Sequence, residues 1–385
     1  MIPYGKHDIQ ESDIEAVVKV LRSDFLTQGS VVPQFEKQLC DYTGSSYAVA
    51  VNSATSALHI ACLSLGLEKG DWLWTSPNSF VASANCGLYC GAKIDFIDID
   101  VKTYNLSIDK LEKKLICAKK EKKLPKIVIP VHFAGQSCDM KRIHSLSKQY
   151  GFKIIEDAAH AIGGRYLDGP IGGCQYSDIT VFSFHPVKII TTAEGGLATT
   201  NSKKLTEKMQ LYRSHGITRN QELITEKVDG DWYYQQVVLG FNYRMTELQA
   251  ALGVSQMKRL DRFVSSRHIL RKRYDMLLRD LPITIPFQHK NNYSALHLYP
   301  IKIDFKRIGK SREKIFNELR ASGVGVNVHY IPIHTQPYYK QFGFHKGDFP
   351  NAELYYHETI SIPIFHAMTM EQQDTIVGIL KKVLQ

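Results

Sequence analysis

Residues 180–196 read Thr-Val-Phe-Ser-Phe-His-Pro-Val-Lys-Ile-Ile-Thr-Thr-Ala-Glu-Gly-Gly, an apolar run that contains a single lysine. The run begins as a buried strand, Ile179 to Phe184, and turns at Pro186, whose ring fixes the backbone. Lysine is rarely buried without a partner. Lys188 therefore extends its ammonium to water, has a carboxylate beside it, or takes part in chemistry.

The residues around Lys188 favour a chemical role. Ser183 offers a hydroxyl five residues before it, and Gly195 and Gly196 permit close backbone approach. A desolvated amine of lowered pKa beside a phosphate-binding hydroxyl is what the covalently bound lysine of a pyridoxal phosphate enzyme requires. On these residues alone, a strand-end lysine that reaches water stays open as the alternative.

A carboxylate follows an upstream strand. Residues Lys153 to Glu156 predict a short strand that ends at Asp157, about 30 residues before Lys188, where a pyridinium nitrogen would need its counter-ion. His160 lies three residues further on and could meet the cofactor ring. Asp157 could equally cap a helix, and His160 could be an ordinary packed histidine.

An anion site is predicted still earlier in the chain. Ala48 to Val51 indicates a strand, and Asn52 to Leu58 the turn into a helix. The start of that helix offers free backbone N–H groups and the hydroxyls of Thr55 and Ser56, which suit the cofactor phosphate. Hydroxyl residues are also common helix caps, so this signal depends on the others.

Strands and helices alternate through the first part of the chain, which predicts a mainly parallel sheet covered by helices, with ligand groups at the strand ends. The predicted strands are 47–51, 72–75, 94–97, 127–131, 153–156 and 179–184. The predicted helices are 9–21, 32–42, the segment after Thr55, 79–90, 107–120 and the segment after Asp139.

The length of 385 residues predicts two domains. A long helical pattern begins at Thr246 and leads out of the sheet, with residues 255–275 joining the two parts. The smaller part should contain strands near 298–303 and 325–328 and helices near 313–320 and 371–384. We place the large cofactor-binding domain, with an N-terminal substrate-lining segment, at 1–262 and the small α/β domain at 263–385.

Composition excludes several classes of protein. The net charge of +10 could indicate nucleic-acid binding, but seven lysines crowd residues 113–126 without interleaved aromatic residues, which is typical of a solvated face. The seven cysteines (40, 62, 86, 90, 117, 138 and 174) have no zinc-ligand spacing, so we expect no metal and reduced thiols in a cytoplasmic protein. The sequence contains no stretch of about 20 apolar residues, so it predicts no membrane span.

Six motifs together resemble the DegT/DnrJ/EryC1/StrS nucleotide-sugar aminotransferases, which are fold-type-I pyridoxal phosphate enzymes. The motifs are Asn-Ser-Ala-Thr-Ser-Ala-Leu (52–58), Ser-Phe-Val-Ala-Ser-Ala-Asn (79–85), Glu-Asp-Ala-Ala-His-Ala-Ile-Gly (156–163), Phe-Ser-Phe-His-Pro-Val-Lys (182–188), Thr-Thr-Ala-Glu-Gly-Gly (191–196) and Gly-Phe-Asn-Tyr-Arg-Met-Thr-Glu-Leu-Gln-Ala-Ala-Leu-Gly (240–253). Within the family, residues 26–29, the 52–56 turn and residues 213–216 most resemble the 4-aminotransferases of the pseudaminic acid pathway. The resemblance implies a seven-stranded, aspartate aminotransferase-like sheet domain.

The resemblance also implies a role for individual residues. Lys188 would bind pyridoxal phosphate covalently and act as the acid and base, while Asn242 would reach the phosphate in the neighbouring subunit of a homodimer. The implied cofactor-binding residues are Thr55, Ser56, Phe80, Asp157, His160, Ser183, Lys188 and Asn242. The implied substrate-binding residues are Tyr4, Asp24, Phe25, Leu26, Thr27, Ala54, Ser183, Asn242, Asn327, Val328, His329 and Tyr330.

The implied reaction moves an amino group from L-glutamate to the C4 keto group of a UDP-linked 2-acetamido-2,6-dideoxyhexos-4-ulose. Lysine at position 188 favours transamination, because relatives with histidine there dehydrate the sugar instead. A sister enzyme acting on another 4-keto or 3-keto UDP-, dTDP- or GDP-sugar is an alternative. A non-catalytic family member is disfavoured by the intact Asp157, Lys188 and Asn242.

Overall fold

A buried sheet is the largest feature of the computed structural model, which describes residues 1–167 and 169–385. The strands are β1 Tyr47–Val51, β2 Trp72–Thr75, β3 Lys93–Phe96, β4 Ile127–Ile129, β5 Lys153–Asp157, β6 Arg165–Tyr166, β7 Gly169–Pro170, β8 Ile179–Ser183, β9 Gly196–Thr200, β10 Ile217–Thr218, β11 Gln235–Gln236, β12 Ile283–Thr284, β13 Asn292–Tyr293, β14 Tyr299–Ile303 and β15 Thr359–Ile362.

The helices surround this sheet and a second, smaller one. They are α1 Glu11–Leu21, α2 Val31–Thr43, α3 Ala54–Ser64, α4 Ala82–Tyr89, α5 Ile108–Glu121, α6 Met140–Tyr150, α7 Lys203–Arg213, α8 Glu247–Met257, α9 Leu260–Leu277, α10 Phe305–Ile308, α11 Arg312–Ala321, α12 Pro337–Lys340, α13 Pro350–Glu358 and α14 Met370–Leu384. Of the helices in the described residues, none combines the length and apolar character needed to cross a bilayer.

The large sheet is mainly parallel, as predicted. Within the described part of the chain it has seven strands in the order β1-β9-β8-β5-β4-β2-β3, and β9 runs antiparallel to both of its neighbours. Every residue of β8 and β9 is buried, which is expected where helices cover both faces of a sheet. The predicted fold class is therefore confirmed, although β9 was not identified from the sequence.

The sheet brings the ends of β5 and β8 together. These strands are parallel neighbours, with Asp157 opposite Val181, so the carboxyl ends of both lie at the same edge. Asp157 is the last residue of β5 and Ser183 the last of β8, and the turn that contains Lys188 follows directly. The parallel register therefore explains why two segments separated in sequence meet at one site.

The helix that was predicted over residues 255–275 is interrupted. α8 ends at Met257 and packs against α1 and α2, whereas α9 begins at Leu260. α9 first contributes Phe263 and Val264 to a core beneath the large sheet. It then contributes Leu270 and Tyr274 to a second core around β12, β14 and β15. α9 thus links the two cores, and the division at residues 262 and 263 stays a prediction.

The strand that was predicted near residues 325–328 is absent from the described structure, so that prediction was wrong. The segment makes only isolated pairings: Val324 pairs with Ile2, and Asn327 pairs with Ser361. The Gly325 N–H donates to the Ile2 carbonyl at 2.7 Å. Because its hydrogen bonds are divided between two distant partners, no continuous ladder forms.

Candidate active site

A cavity of about 610 Å³ lies where β5 and β8 end. The start of α3, the turn around Lys188 and the segment from Asn327 to Tyr330 also border it. The predicted residues on its wall are Tyr4, Ala54, Thr55, Phe80, Asp157, His160, Ser183, Lys188, Asn327, Val328, His329 and Tyr330. The fold therefore brings most of the predicted site residues to one place.

Lys188 reaches the cavity from the turn after β8. Its backbone N–H donates to the His185 carbonyl at 2.9 Å, which closes the turn. Burial lowers the pKa of the Lys188 amine to about 8, and the negative charge of Asp157 opposes that shift. A much larger fraction of the amine is therefore uncharged at neutral pH than in an ordinary lysine.

Asp157 is a buried carboxylate with fixed hydrogen bonds. The Ser83 hydroxyl donates to its Oδ2 at 2.6 Å, and the Ala159 N–H donates to its Oδ1 at 3.1 Å. Only 5% of Asp157 is exposed, and it lines the cavity. The carboxylate is thus held in one orientation and can face a cation or a protonated nitrogen of a ligand.

The start of α3 forms another wall of the cavity. Ser53 caps the helix by accepting a hydrogen bond from the Ser56 N–H at 3.1 Å. A Cβ atom on Gly196 would lie 2.4 Å from the backbone of Ser53 and Ala54, so only glycine lets β9 begin this close to the helix. Thr55 lies at the cavity, where the N-terminal end of a helix favours an anion.

Three buried histidines line the cavity: His160, His297 and His329. Burial lowers the pKa of His160 and His297 well below the usual range, and it lowers that of His329 to about 3. The positive charge of Lys188 adds to each shift. All three imidazoles are therefore neutral hydrogen-bonding groups at physiological pH.

His160 orients Tyr330. The Ala134 N–H donates to His160 Nδ1 at 3.3 Å, so the proton of the neutral ring is assigned to Nε2. That nitrogen lies 3.0 Å from the Tyr330 hydroxyl oxygen and donates to it. The hydroxyl proton of Tyr330 is left available for a ligand in the cavity.

Some predicted residues do not line the cavity. The Ser56 hydroxyl donates to Asn52 Oδ1 at 2.7 Å. Residues Asp24 to Thr27 form an exposed turn, held where the Glu247 N–H donates to the Leu26 carbonyl. Asn242 is exposed. The predicted ligand roles of these residues stay predictions.

Other residues on the cavity wall were not identified as site residues from the sequence. They are Ser53, Leu58, Ser79, Ala82, Val131, Ala159, His185, Val187, Glu194 and His297. His297 stands out because its Nδ1 is buried and has no hydrogen-bond partner among the described residues. Its ring lies 4.4 Å from that of His160. A lone histidine in the apolar run 295–301 gave no signal for this position, because the contact with His160 joins segments far apart in sequence.

The cavity has the features that pyridoxal phosphate requires. It contains an amine of lowered pKa, a fixed buried carboxylate, a helix N-terminus, and the ring of Phe80, which is 60% exposed. The residues present therefore fit this cofactor.

The lowered pKa of Lys188 predicts how cofactor uptake depends on pH. Only the uncharged amine attacks an aldehyde, so the rate constant for pyridoxal phosphate binding to the cofactor-free protein should rise with pH and level off above pH 8. Stopped-flow absorbance between pH 6 and 10 would measure this. Asp157→Asn should move the midpoint to lower pH, because the carboxylate favours the ammonium form. A midpoint at about 10.4, the ordinary lysine value, would contradict the prediction.

Comparisons with known proteins agree with these observations. The model of the DegT/DnrJ/EryC1/StrS aminotransferase family matches residues 7–381. The UDP-4-amino-4,6-dideoxy-N-acetyl-beta-L-altrosamine transaminase of Campylobacter jejuni is 37% identical and covers 100% of this chain and 98% of its own. The spore coat polysaccharide biosynthesis protein SpsC of Bacillus subtilis is also 37% identical and covers 100% and 97%.

Two solved structures have the same fold. Helicobacter pylori PseC, an aminotransferase involved in the biosynthesis of pseudoaminic acid, superposes with a TM-score of 0.91 at 32% identity and covers 100% of this chain and 99% of its own. Spr1654 of Streptococcus pneumoniae in its PLP form superposes with a TM-score of 0.88 at 29% identity and covers 100% and 98%.

Proposed function

Because this chain belongs to the DegT/DnrJ/EryC1/StrS aminotransferase family and is therefore a pyridoxal phosphate-dependent sugar aminotransferase, we propose a specific reaction for it. The amino group of L-glutamate is transferred to the C4 keto group of UDP-2-acetamido-2,6-dideoxy-β-L-arabino-hexos-4-ulose. The product is UDP-4-amino-4,6-dideoxy-N-acetyl-β-L-altrosamine. One observation carries this proposal: a single cavity contains Lys188, Asp157 and the polar segment from Asn327 to Tyr330. The named activity of the Campylobacter relative supports the choice of sugar.

Lys188 and Asp157 have different roles in the proposed reaction. Bound pyridoxal phosphate supplies the electron sink that lets the amino group pass from donor to acceptor. Lys188 would hold the cofactor covalently, and its free amine would move a proton to or from the substrate carbon. The negative charge of Asp157 would keep the ring nitrogen of the cofactor protonated.

Other groups bind and orient the ligands. The N-terminal end of α3 and the hydroxyls of Thr55 and Ser183 would bind the phosphate, and Phe80 would stack on the cofactor ring, since all of them line the cavity. His329 and Tyr330 hydrogen-bond to the substrate. His329 is held by a hydrogen bond with Ser361 at 2.9 Å, so it can discriminate between hydroxyl positions without losing side-chain entropy.

We place Asn242 in the active site of a second subunit. Asn242 is exposed, and the segment before it carries exposed apolar residues, with Trp232 71% and Leu239 78% accessible. Surface apolar residues grouped in this way are typical of an interface between subunits. In this proposal the enzyme is a homodimer whose two sites each need both chains. We also propose that it acts in the cytoplasm.

Asn242→Ala should weaken cofactor binding by about 10- to 100-fold, the loss of one hydrogen bond to a charged phosphate. Fluorescence titration would measure the dissociation constant, with Asn291→Ala as an exposed asparagine control. Unchanged affinity in a dimeric N242A protein would refute the composite site.

Mixing variants would test the same arrangement independently. A hybrid dimer of Lys188→Ala and Asn242→Ala chains contains one site with both native residues. Random mixing in equal amounts should therefore restore about a quarter of the wild-type activity at limiting cofactor. If the mixture is no more active than the two parent variants, the composite site is refuted.

Product analysis tests the substrate. With L-glutamate, the enzyme should convert the proposed UDP-sugar and release an equal amount of 2-oxoglutarate. NMR should show that the new C4 amine has the configuration of the altrosamine product. Lys188→Ala serves as the inactive control. A larger kcat/KM for another sugar nucleotide would overturn the substrate assignment but not the enzyme class.

A second candidate substrate is another 4-keto or 3-keto sugar linked to UDP, dTDP or GDP. SpsC is equally identical to this chain, and its name refers to spore coat polysaccharide biosynthesis, so this second candidate is retained. A panel of such sugars at equal concentration, scored by kcat/KM, would discriminate between the two.

A further inference from the structure

Arg267 lies in the middle of α9, the helix that links the two cores, and only 1% of it is exposed. Burial lowers the pKa of its guanidinium to about 9, and no carboxylate among the described residues opposes that shift. The group is therefore still charged at neutral pH. A buried charge is costly unless its surroundings supply partners, so the partners of Arg267 indicate what its burial secures.

The partners of Arg267 are backbone carbonyls from two segments that lie far apart in the chain. Its Nη1 donates to the carbonyls of Leu296 at 3.1 Å, His297 at 3.3 Å and Ile364 at 2.9 Å. Leu296 has a φ of 53°, a left-handed conformation that is strained for leucine and persists where its surroundings hold it. One nitrogen therefore joins α9 to the segment before β14 and to the segment after β15.

The segment before β14 is connected to Tyr330 by hydrogen bonds. It carries His297, which lies on the cavity wall. The His297 N–H donates to the Ala134 carbonyl at 2.9 Å, and the Ala134 N–H donates in turn to His160. Because His160 orients the Tyr330 hydroxyl, the backbone that Arg267 holds supports the position of Tyr330.

The segment after β15 is connected to Tyr4 in a similar way. The Ile364 N–H donates to the Tyr4 carbonyl at 3.2 Å, while the Ile364 carbonyl accepts from Arg267. Tyr4 lies on the cavity wall, and its ring is 5.4 Å from that of His329. Arg267 thus supports the backbone of a second predicted substrate-binding residue.

We propose that Arg267 is a positioning residue, which fixes Tyr4 and Tyr330 for the sugar nucleotide without contacting it. Arg267 is not among the described residues on the cavity wall, so it acts through the backbone of residues 296–297 and of Ile364. The proposal rests on the proposed function, because it takes Tyr4 and Tyr330 as substrate-binding residues.

The residues assigned to the cofactor are held by other contacts. Ser83 donates to Asp157, and the turn that carries Lys188 is closed through the His185 carbonyl. L-Glutamate is also much smaller than a sugar nucleotide, so it depends less on distant parts of the cavity wall. Loss of Arg267 should therefore impair the sugar half of the reaction far more than the glutamate half.

Arg267→Met removes the charge and the donors but keeps a long side chain, and it tests this selectivity. Small displacements of binding groups should lower kcat/KM for the keto sugar by about 10- to 100-fold, while the rate of the glutamate half-reaction should stay within about threefold. Stopped-flow absorbance of the cofactor measures each half-reaction separately. Arg262→Met, the same change at an exposed position of α9, is the matched control and should be normal in both.

Arg267→Lys tests whether hydrogen-bond donors are what this position supplies. Three carbonyls converge on one nitrogen, and an ammonium has three protons to donate. The loss of kcat/KM for the sugar should therefore shrink to about threefold. This variant decides the question if Arg267→Met fails to fold. A lysine variant with no sugar defect, or with equal losses in the two half-reactions, would then overturn the proposal.

The kinetic outcomes are equally decisive for Arg267→Met. Equal losses in the sugar and glutamate half-reactions, or no loss in either, would overturn the positioning role. The keto sugar is whichever one the wild-type enzyme converts fastest, so an incorrect sugar in the proposed reaction does not affect this comparison.

Hydrogen exchange of the holoenzyme tests the positioning without any sugar. In Arg267→Met, the amides of residues 295–298 and 361–366 should exchange about tenfold faster than in the wild type, while those of α3 keep their rates. Unchanged exchange in both segments would refute the proposal, and faster exchange throughout the chain would reduce Arg267 to a structural role. Because this measurement needs no turnover, failure of the proposed reaction can be distinguished from failure of the positioning.

Discussion

Lys188→Ala is expected to reduce kcat for transamination by at least about 10⁴-fold, because one substitution removes both the covalent attachment of the cofactor and the group that moves the proton. The Lys188 amine is the cavity group whose pKa burial lowers to about 8, and the neutral histidines around it cannot replace a nucleophilic amine. Coupled detection of 2-oxoglutarate would measure the loss.

The covalent bond itself gives a readout that does not depend on activity. Borohydride reduction followed by peptide mass spectrometry should place the cofactor on Lys188 in the wild-type protein and on no peptide of the variant. Lys188→Arg, which retains the charge, should be as inactive as the alanine variant. Lys204→Ala, at an exposed lysine, should be normal. A variant that keeps substantial activity would refute the role of Lys188.

Asp157→Asn is expected to lower kcat by about 10²- to 10⁴-fold, because it removes the negative charge that holds a proton on the cofactor ring. The side chain should still fit. Its amide oxygen can accept from the Ala159 N–H, and its amide N–H can donate to the Ser83 oxygen, which are the partners of the present carboxylate. The loss would therefore be chemical rather than structural.

Ser83→Ala is the matched control for Asp157→Asn. It removes the hydrogen bond at 2.6 Å but keeps the charge, so kcat should fall by about tenfold or less, in line with one hydrogen bond. The thermal unfolding temperature of both variants should stay within a few degrees of wild type. Equal losses in the two variants would show that orientation, and not charge, is what Asp157 contributes.

Local patterns were sufficient for most elements of the large sheet. The strand at Trp72–Thr75 has the predicted bounds, and those at Lys153–Asp157 and Ile179–Ser183 differ by one residue. These are short apolar runs bounded by turn residues, and such runs carry their own strand signal. The strand predicted near Gly325 failed because its hydrogen bonds go to Ile2 and Ser361, which no local pattern reveals.

The helix break between α8 and α9 has a similar cause. The apolar periodicity continues past Met257, so the sequence predicted one helix. In the fold, Gln256 and Arg259 donate to Asp13 of α1 at 2.9 and 2.5 Å. α8 is thereby fixed against α1 while α9 turns toward the second core. Tertiary contacts overrode a helical pattern that was locally continuous.

The sequence alone determined the order of the elements, the mainly parallel sheet, and Lys188 and Asp157 as the candidate chemical groups. Tertiary structure alone decided how the site is assembled: Ser83 contacts Asp157, His160 contacts Tyr330, and the ring of His297 lies beside that of His160. The physical reason is how far apart in the chain the interacting residues lie. Strand and helix patterns express interactions between near neighbours in the chain, whereas these contacts join segments tens of residues apart, and their geometry depends on how the sheet and helices pack.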